Sequence, residues 1–317
     1  MKKISLAIGV FALMLFGCNT QKKQTSAIAS EEHTHKDYFG AYTLEDKYYG
    51  TKTIVTIEKG IRKMVSNGLP NHDVGKFPNE GNPNKISKQN VSYSFPVKPF
   101  YTGQSKWVRE PGVALNGVKF EPETAERYEC ESGEVYKVEA IQQLINLGLD
   151  YNNAHVQPTG AYHYHAKPVS ILRIFDTGKD LIHVGFAKDG FPMYYSKSGA
   201  YKSSFRLVNE NREGVNCSYN RKPNDKEDLK GTEANGTFVQ DWEFVEGLGD
   251  LDKCNGARIN GSYAYVITDE YPYVSRCLNG KFKEEKHPGP PPGHRGRRPN
   301  GPPPPRHGRS GHERPPK

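Results

Sequence analysis

Gly112-Val113-Ala114-Leu115-Asn116-Gly117-Val118-Lys119-Phe120 is two short apolar runs joined by Asn-Gly. Both central positions of a tight hairpin turn need positive φ, which Asn and Gly accept at little cost, so this stretch predicts a β-hairpin. The pattern continues outward. Thr53-Ile54-Val55-Thr56-Ile57-Glu58 and Ile61-Arg62-Lys63-Met64-Val65 read as strands around Lys59-Gly60. Ala161–His165, Val169–Phe175, Leu181–Ala187, Phe238–Val245 and Tyr263–Thr268 are further strand candidates. One run differs: Val138, Ile141, Leu144 and Ile145 share a helical face, Glu134 and Glu139 precede or open it, and Gly148 can end it. That spacing predicts a helix over Val138–Leu147. With 19 Tyr and 14 Phe as core material and 32 Gly for turns, the expected fold is mainly β. It should have antiparallel sheets, sandwich or barrel-like, and this one prominent helix.

The ends read differently from the body. Lys2-Lys3 followed by the apolar run Ile4–Phe16 is too short to span a bilayer, which takes roughly 20 residues, and fits an export signal. Its end, Leu15-Phe16-Gly17-Cys18, resembles the bacterial lipoprotein cleavage box, which makes Cys18 the expected lipidated residue. The expected organisation is a signal peptide at 1–17, a polar tether at 18–36, a β-rich body at 37–285 and a disordered tail at 286–317. The tail from His287 holds eleven Pro, six Gly, six Arg and four His. The net charge of +8 falls to zero for the body once Lys2, Lys3 and the tail's surplus of 6 are subtracted (8 − 2 − 6 = 0). A basic nucleic-acid-binding face is therefore not implied, and the expected partners are a membrane, through the anchor, and a metal ion.

Cysteine use agrees with export. Setting Cys18 aside leaves Cys130, Cys217, Cys254 and Cys277, an even number with no CxxC, which predicts at least one disulfide in an oxidising compartment. Their three possible pairings stay open.

The chemistry concentrates in Asn152-Asn153-Ala154-His155-Val156-Gln157-Pro158-Thr159-Gly160-Ala161-Tyr162-His163-Tyr164-His165. On a strand, residues two apart share a face, so His163 and His165 point one way and Tyr162 and Tyr164 the other. The Pro158-Thr159-Gly160 turn can fold His155 back over the pair. Three neutral imidazoles with an open position suit Zn²⁺ or Cu²⁺. A His-x-His strand can equally be a half-buried, hydrogen-bonded face with no ion. An internal comparison bears on this: Gly261-Ser262-Tyr263-Ala264-Tyr265-Val266 repeats the Gly and both Tyr but replaces the two His with Ala and Val. The frame does not need imidazole for packing. Asn153 and Gln157 are candidates to fix imidazole tautomers, and metal affinity should fall as pH drops through about 6 to 6.5. His183, alternating with Ile182 and Val184, reads as a satisfied core histidine. Asp189 sits in an Asp-Gly turn, where local hydrogen bonding or a supporting role at the site would each account for it.

Tyr162-His163-Tyr164-His165 resembles the signature of the YHYH-domain family. The similarity extends to Asn67–Pro78, Gly81-Asn82-Pro83-Asn84, Gly112–Pro122, Val184–Pro192 and Leu251–Gly256, and spans about Thr53 to Gly280. The resemblance implies an exported, lipid-anchored bacterial protein with an inferred metal-related role. It also draws attention to His72, in the Pro70-Asn71-His72-Asp73 turn, as a fourth ligand, with Asp73 supporting it. A second His-rich strand near the C-terminal end is not expected, because Ala264 and Val266 stand there.

The chain has no Gly-rich phosphate loop, GxSxG elbow or HExxH helix. Three readings remain: a metal-binding lipoprotein of the cell envelope, a metal-dependent hydrolase or oxidoreductase, or a structural or carbohydrate-contacting β-protein. A substrate cleft beside His165 favours the enzyme, a closed four-ligand site favours binding, and an aromatic platform far from His163 favours the third.

Overall fold

A computed structural model describes residues 38–283. The signal peptide, Cys18, the tether and the tail lie outside the described residues. Alternation of apolar and polar residues builds the first sheet, in which Tyr42–Asp46 (β1), Thr51–Glu58 (β2), Ile61–Ser66 (β3) and Val91–Pro96 (β4) pair antiparallel in sequence order. Tyr101–Trp107 (β5) is exposed along its length and pairs with the last strand. The hairpin at Asn116-Gly117 forms, joining Gly112–Ala114 (β6) to Lys119–Phe120 (β7), but only Gly117 takes positive φ, and the turn closes through the Gly117 N–H on the Ala114 carbonyl at 2.8 Å. Glu123–Cys130 (β8) and Val135–Glu139 (β9) follow, then Ala154–Val156 (β10) and Tyr162–Tyr164 (β11), a six-residue helix Val169–Ile174 (α1), and Leu181–Ala187 (β12) with Pro192–Ser196 (β13). Phe205–Leu207 (β14), Cys217–Tyr219 (β15), Lys222–Glu227 (β16) and Trp242–Phe244 (β17) precede Gly256–Ile259 (β18), Ser262–Ile267 (β19) and Cys277–Gly280 (β20). The fold is mainly β and mostly antiparallel; its sheets stay open rather than closing into a barrel.

Three elements differ from the sequence reading. Of the expected strand Phe238–Val245 only Trp242–Phe244 is extended; Val239–Asp241 forms a 3-10 turn in which the Asp241 carboxylate accepts the Phe238 N–H at 3.1 Å. The expected helix over Val138–Leu147 is absent. Val138 lies within β9 and bridges to Phe238, while Gln142 Oε1 accepts the N–H groups of Leu144 and Ile145, and Asn146 Oδ1 that of Gly148. Side-chain acceptors thus take the donors that helical carbonyls would have taken. The expected strand Val169–Phe175 is instead α1. Pro168 precedes it, Asn152 Oδ1 accepts the Ser170 N–H at 2.8 Å, and Ile171 and Phe175, one helical turn apart, are buried together.

The principal sheet runs β10-β11-β7-β6-β12-β13-β19-β18, and its order is that of an internal duplication. At the centre, β6 and β12 pair antiparallel, with Ala114 opposite Gly185, Val113 opposite Phe186 and Gly112 opposite Ala187. Superposing Gly112-Val113-Ala114 on Gly185-Phe186-Ala187 maps this register onto itself, so a local twofold passes between Val113 and Phe186. The correspondence continues outward. β7 with β11 and β13 with β19 are the parallel pairs, and β10 and β18 are the antiparallel outer strands. Gly117 (φ +85°) and Gly190 (φ +92°) occupy equivalent turns, and a Cβ would meet Ser66 Oγ at 2.1 Å in one and the Pro96 carbonyl at 2.3 Å in the other.

The large core lies between this sheet and β1–β4, joining Tyr42, Val55, Met64 and Phe95 to Leu115, Phe120, Tyr164, Phe186 and Tyr265. Each fully buried aromatic contributes roughly 1.5–3 kcal/mol of apolar transfer. A second core holds Tyr128, Tyr136, Val138, Leu147, Cys217, Leu229 and Phe238 around the sheet β16-β15-β8-β9. Two disulfides form, Cys130–Cys217 and Cys254–Cys277, the first joining paired positions of β8 and β15.

Candidate metal centre

β10 and β11 bring the three histidines together. His155 lies opposite His163 in the antiparallel register, and His165 follows two residues on, its N–H donating to the Asn153 carbonyl at 2.8 Å. Asn153 takes φ +53°, which Asn tolerates, and so turns the chain into β10. As the strand period requires, Tyr162 and Tyr164 enter the large core while His163 and His165 take the other face. Tyr162 is fixed by donating to Asp150 at 2.7 Å.

The three rings form a nearly regular triangle, with centroids 4.8 Å apart for His155–His163 and 4.6 Å for each of the other two pairs. Their candidate ligand atoms all lie within 4.8 Å of one another. His155 Nδ1 meets the Leu147 carbonyl at 2.9 Å, and a carbonyl only accepts, so Nδ1 carries the proton and Nε2 is left as a lone-pair donor. His163 Nδ1 faces the Ala161 carbonyl at 3.3 Å with the same consequence. His165 is 1% exposed, and neither ring nitrogen has a hydrogen-bond partner. The Pro122 carbonyl lies close enough to favour the charged ring but does not reach hydrogen-bond geometry. An orphaned buried imidazole is costly, and a metal ion taking one of its nitrogens would relieve much of that cost. The residues present fit a divalent transition metal.

Burial holds all three imidazoles below the usual histidine range, and furthest for His163 and His165, where neighbouring histidines add to the effect. Proton competition for a metal therefore sets in below the pH 6 to 6.5 expected from free imidazole. The rings open onto a cleft of about 910 Å³. Its walls include Glu121, Glu126, Arg109, Tyr219, Arg221 and the 144–147 segment.

His72 is not among the three. It lies on the tyrosine side of β11, with Nε2 at 2.6 Å from the Tyr164 hydroxyl and Nδ1 at 2.8 Å from the Asp73 carbonyl. It braces the frame, and a turn residue could not reach both faces of the strand. Asp73 supports His72 through its carbonyl, while its carboxylate accepts from Tyr49. Asn153 donates its side chain to the Lys167 carbonyl and Gln157 to Glu121, so neither side chain orients a triad ring. Asp189 belongs to the other half of the sheet, accepting from Tyr265 Oη at 2.5 Å and Gly280 N at 2.9 Å. His183 is satisfied, with Nε2 at 2.9 Å from the Gly185 carbonyl and its ring stacked on Phe39.

The Tyr-His-Tyr-His run lies on β11, next to the outer strand β10 of the principal sheet. The family model described as YHYH protein matches residues 92–280, more than half of the chain. The chain belongs to the YHYH family. No curated protein matches it, and no solved structure does. The YHYH region thus covers the whole principal sheet and the cleft walls from β8 onward, while β1–β3 and His72 precede it.

Three partners of the site escape sequence reasoning. The Leu147 carbonyl is backbone and carries no residue-type signal. Glu121, buried beside the triad, is visible only as a charge directly after an apolar hairpin strand. Asp150 had a signal, because Leu149-Asp150 preceding Asn153 recurs as Leu251-Asp252 preceding Asn255.

Proposed function

We propose that this YHYH protein is a lipid-anchored cell-envelope protein whose His155, His163 and His165 bind one divalent transition metal, with an open coordination position facing the cleft. The observation that carries this reading is the triangle of converging imidazoles in which His165 has no other partner. Zinc is favoured over Cu²⁺. An equal-sided triangle is the base of a tetrahedron, whereas a tetragonal copper site would set two ligands far apart and the third between them. With Zn–N bonds of about 2.0–2.1 Å, tetrahedral ligand atoms lie about 3.4 Å apart, a distance that small ring rotations reach from the present spacing.

The open cleft favours a metal-dependent enzyme over a closed storage site. A bound zinc ion supplies Lewis acidity and a water of lowered pKa, which points to hydrolysis. This chain's own residues would hold the ion at the wall of the cleft: the Leu147 carbonyl fixes the His155 tautomer, and the buried β11 backbone fixes the approach of His163 and His165. Export and anchoring rest on the Leu15–Cys18 box, and the two disulfides are consistent with an oxidising compartment. Elemental analysis of untagged protein, wild type beside His163→Ala, tests the site. About one ion per chain is expected in the first and close to none in the second. Equal content in the two would defeat the proposal.

A further inference from the structure

We infer that Arg109 is the anion-binding residue of the cleft, so that the ligand reaching the metal centre carries an oxyanion group, a carboxylate or a phosphate. The inference rests on the metal reading above and deepens it. Arg109 Nε donates to Glu121 Oε1 at 2.6 Å, and Glu121 is 2% exposed. The other oxygen of Glu121 is held by Lys119 Nζ at 2.8 Å and Gln157 Nε2 at 2.6 Å. With both oxygens engaged, Glu121 acts as the anchor of a cationic pair.

The Arg109 side chain is itself half-exposed and lines the same cleft as the three histidines. Its contact through Nε leaves the two Nη groups without an acceptor among the described residues. A guanidinium pinned at one edge and open at the other presents a fixed, planar fork, the geometry that suits an oxyanion. Arg109 and Lys119 lie within electrostatic reach of His163, and Glu121 and Glu126 within reach of His155, while Lys119 is also held by Glu110, which leaves the exposed Arg109 as the cation open to a ligand near the metal position.

The second half of the sheet argues that this cluster is not required for packing. At the positions equivalent to Lys119, Glu121 and Gln157 it has Pro192, Tyr194 and Ile259, and at the positions of the histidines it has Ala257, Ala264 and Val266. The charged cluster therefore accompanies the histidines and is absent where they are absent.

Cobalt-loaded protein titrated with inorganic phosphate, followed by the visible bands of Co²⁺, tests the inference without an assay of turnover. Phosphate should perturb the bands in the wild type, and Arg109→Gln should raise the half-saturating concentration by about tenfold or more. Cobalt content should be unchanged. Arg109→Lys, which keeps the charge but loses the fork, should fall between the two and decides the matter if the Gln variant does not fold. Identical phosphate dependence in wild type and both variants, or a cobalt spectrum indifferent to phosphate, would overturn the inference while leaving the metal reading in place. Failure of the wild type to take up cobalt would bring down the metal reading and the inference together.

Discussion

The two halves of the principal sheet share a backbone and differ in what fills its outer face. In each, an Asp accepts from the first Tyr of the inner strand, Asp150 from Tyr162 at 2.7 Å and Asp252 from Tyr263 at 2.8 Å. In each, a left-handed Asn, Asn153 or Asn255, leads into the outer strand. The second Tyr meets the tip of the central hairpin, Tyr164 at Asn116 and Tyr265 at Asp189. Beyond this frame the halves part. Ala264 and Val266 sit in an apolar cluster with Leu251 and Ile259, where the first half has the imidazole triangle and a cleft. Even the lead-in is secured differently: Cys254 is tied to Cys277, while its equivalent Asn152 hydrogen-bonds to the Asp73 carbonyl and the Ser170 N–H. The frame specifies the fold, and the alternate positions are open to whatever the outer face requires.

The widest difference between the halves should appear on removing a ligand. His163→Ala should weaken metal binding more than about a hundredfold, since even the outer partners of metal ligands are worth 10- to 100-fold. It should still give a native near-UV circular dichroism spectrum, because Ala264 occupies the equivalent place. Loss of that spectrum would show that the imidazole is part of the frame. The reciprocal change is expected to fail. Ala264→His places a ring in a packed apolar cluster with Leu251, Ile259 and Val266, and should cost about 2–4 kcal/mol in denaturant unfolding. A neutral outcome would mean that the second half also tolerates a polar site.

A smaller effect separates the two hairpin tips. Asp189 accepts hydrogen bonds from Tyr265, Phe191 and Gly280, whereas Asn116 donates to the Tyr164 hydroxyl. Asp189→Asn should leave the Gly280 N–H facing an amide and cost about 1–3 kcal/mol. An unchanged melting temperature would make the tips interchangeable.

The smallest effect per unit is in pH. Burial lowers the pKa of His155, His163 and His165, so below about 6.5 the unfolded chain binds protons that the native chain does not. Their contribution is fully present above that pH. It is lost as pH falls toward the native values, at up to about 1.4 kcal/mol per unit for each ring. Metal-free wild type should therefore lose stability with acid more steeply than metal-free His163→Ala, and equal slopes would contradict the buried neutral triad.

What could be read beforehand follows the same division. The period of two placed His163 and His165 opposite Tyr162 and Tyr164, and Asn116-Gly117 placed the central hairpin, because both are local rules of strand and turn. The family motif drew His72 into the wrong set, since a sequence does not say on which side of a strand a distant turn will land. Val138–Leu147 misled because apolar spacing carries no record of Gln142 and Asn146 capturing nearby N–H groups. Arg109 and Glu121 were invisible for a related reason: their significance is that they meet, twelve residues apart, beside a site built by another hairpin.

The twofold relation also bears on how such a site can be lost. The Tyr residues of the signature are committed to the core and the His residues are not, so a relative can replace its imidazoles without refolding. Relatives that lack the triad should keep the tyrosines and vary between them, as Tyr263-Ala264-Tyr265-Val266 already does within this chain. The presence of the two tyrosines then diagnoses the scaffold, and only the residues between and after them diagnose the chemistry.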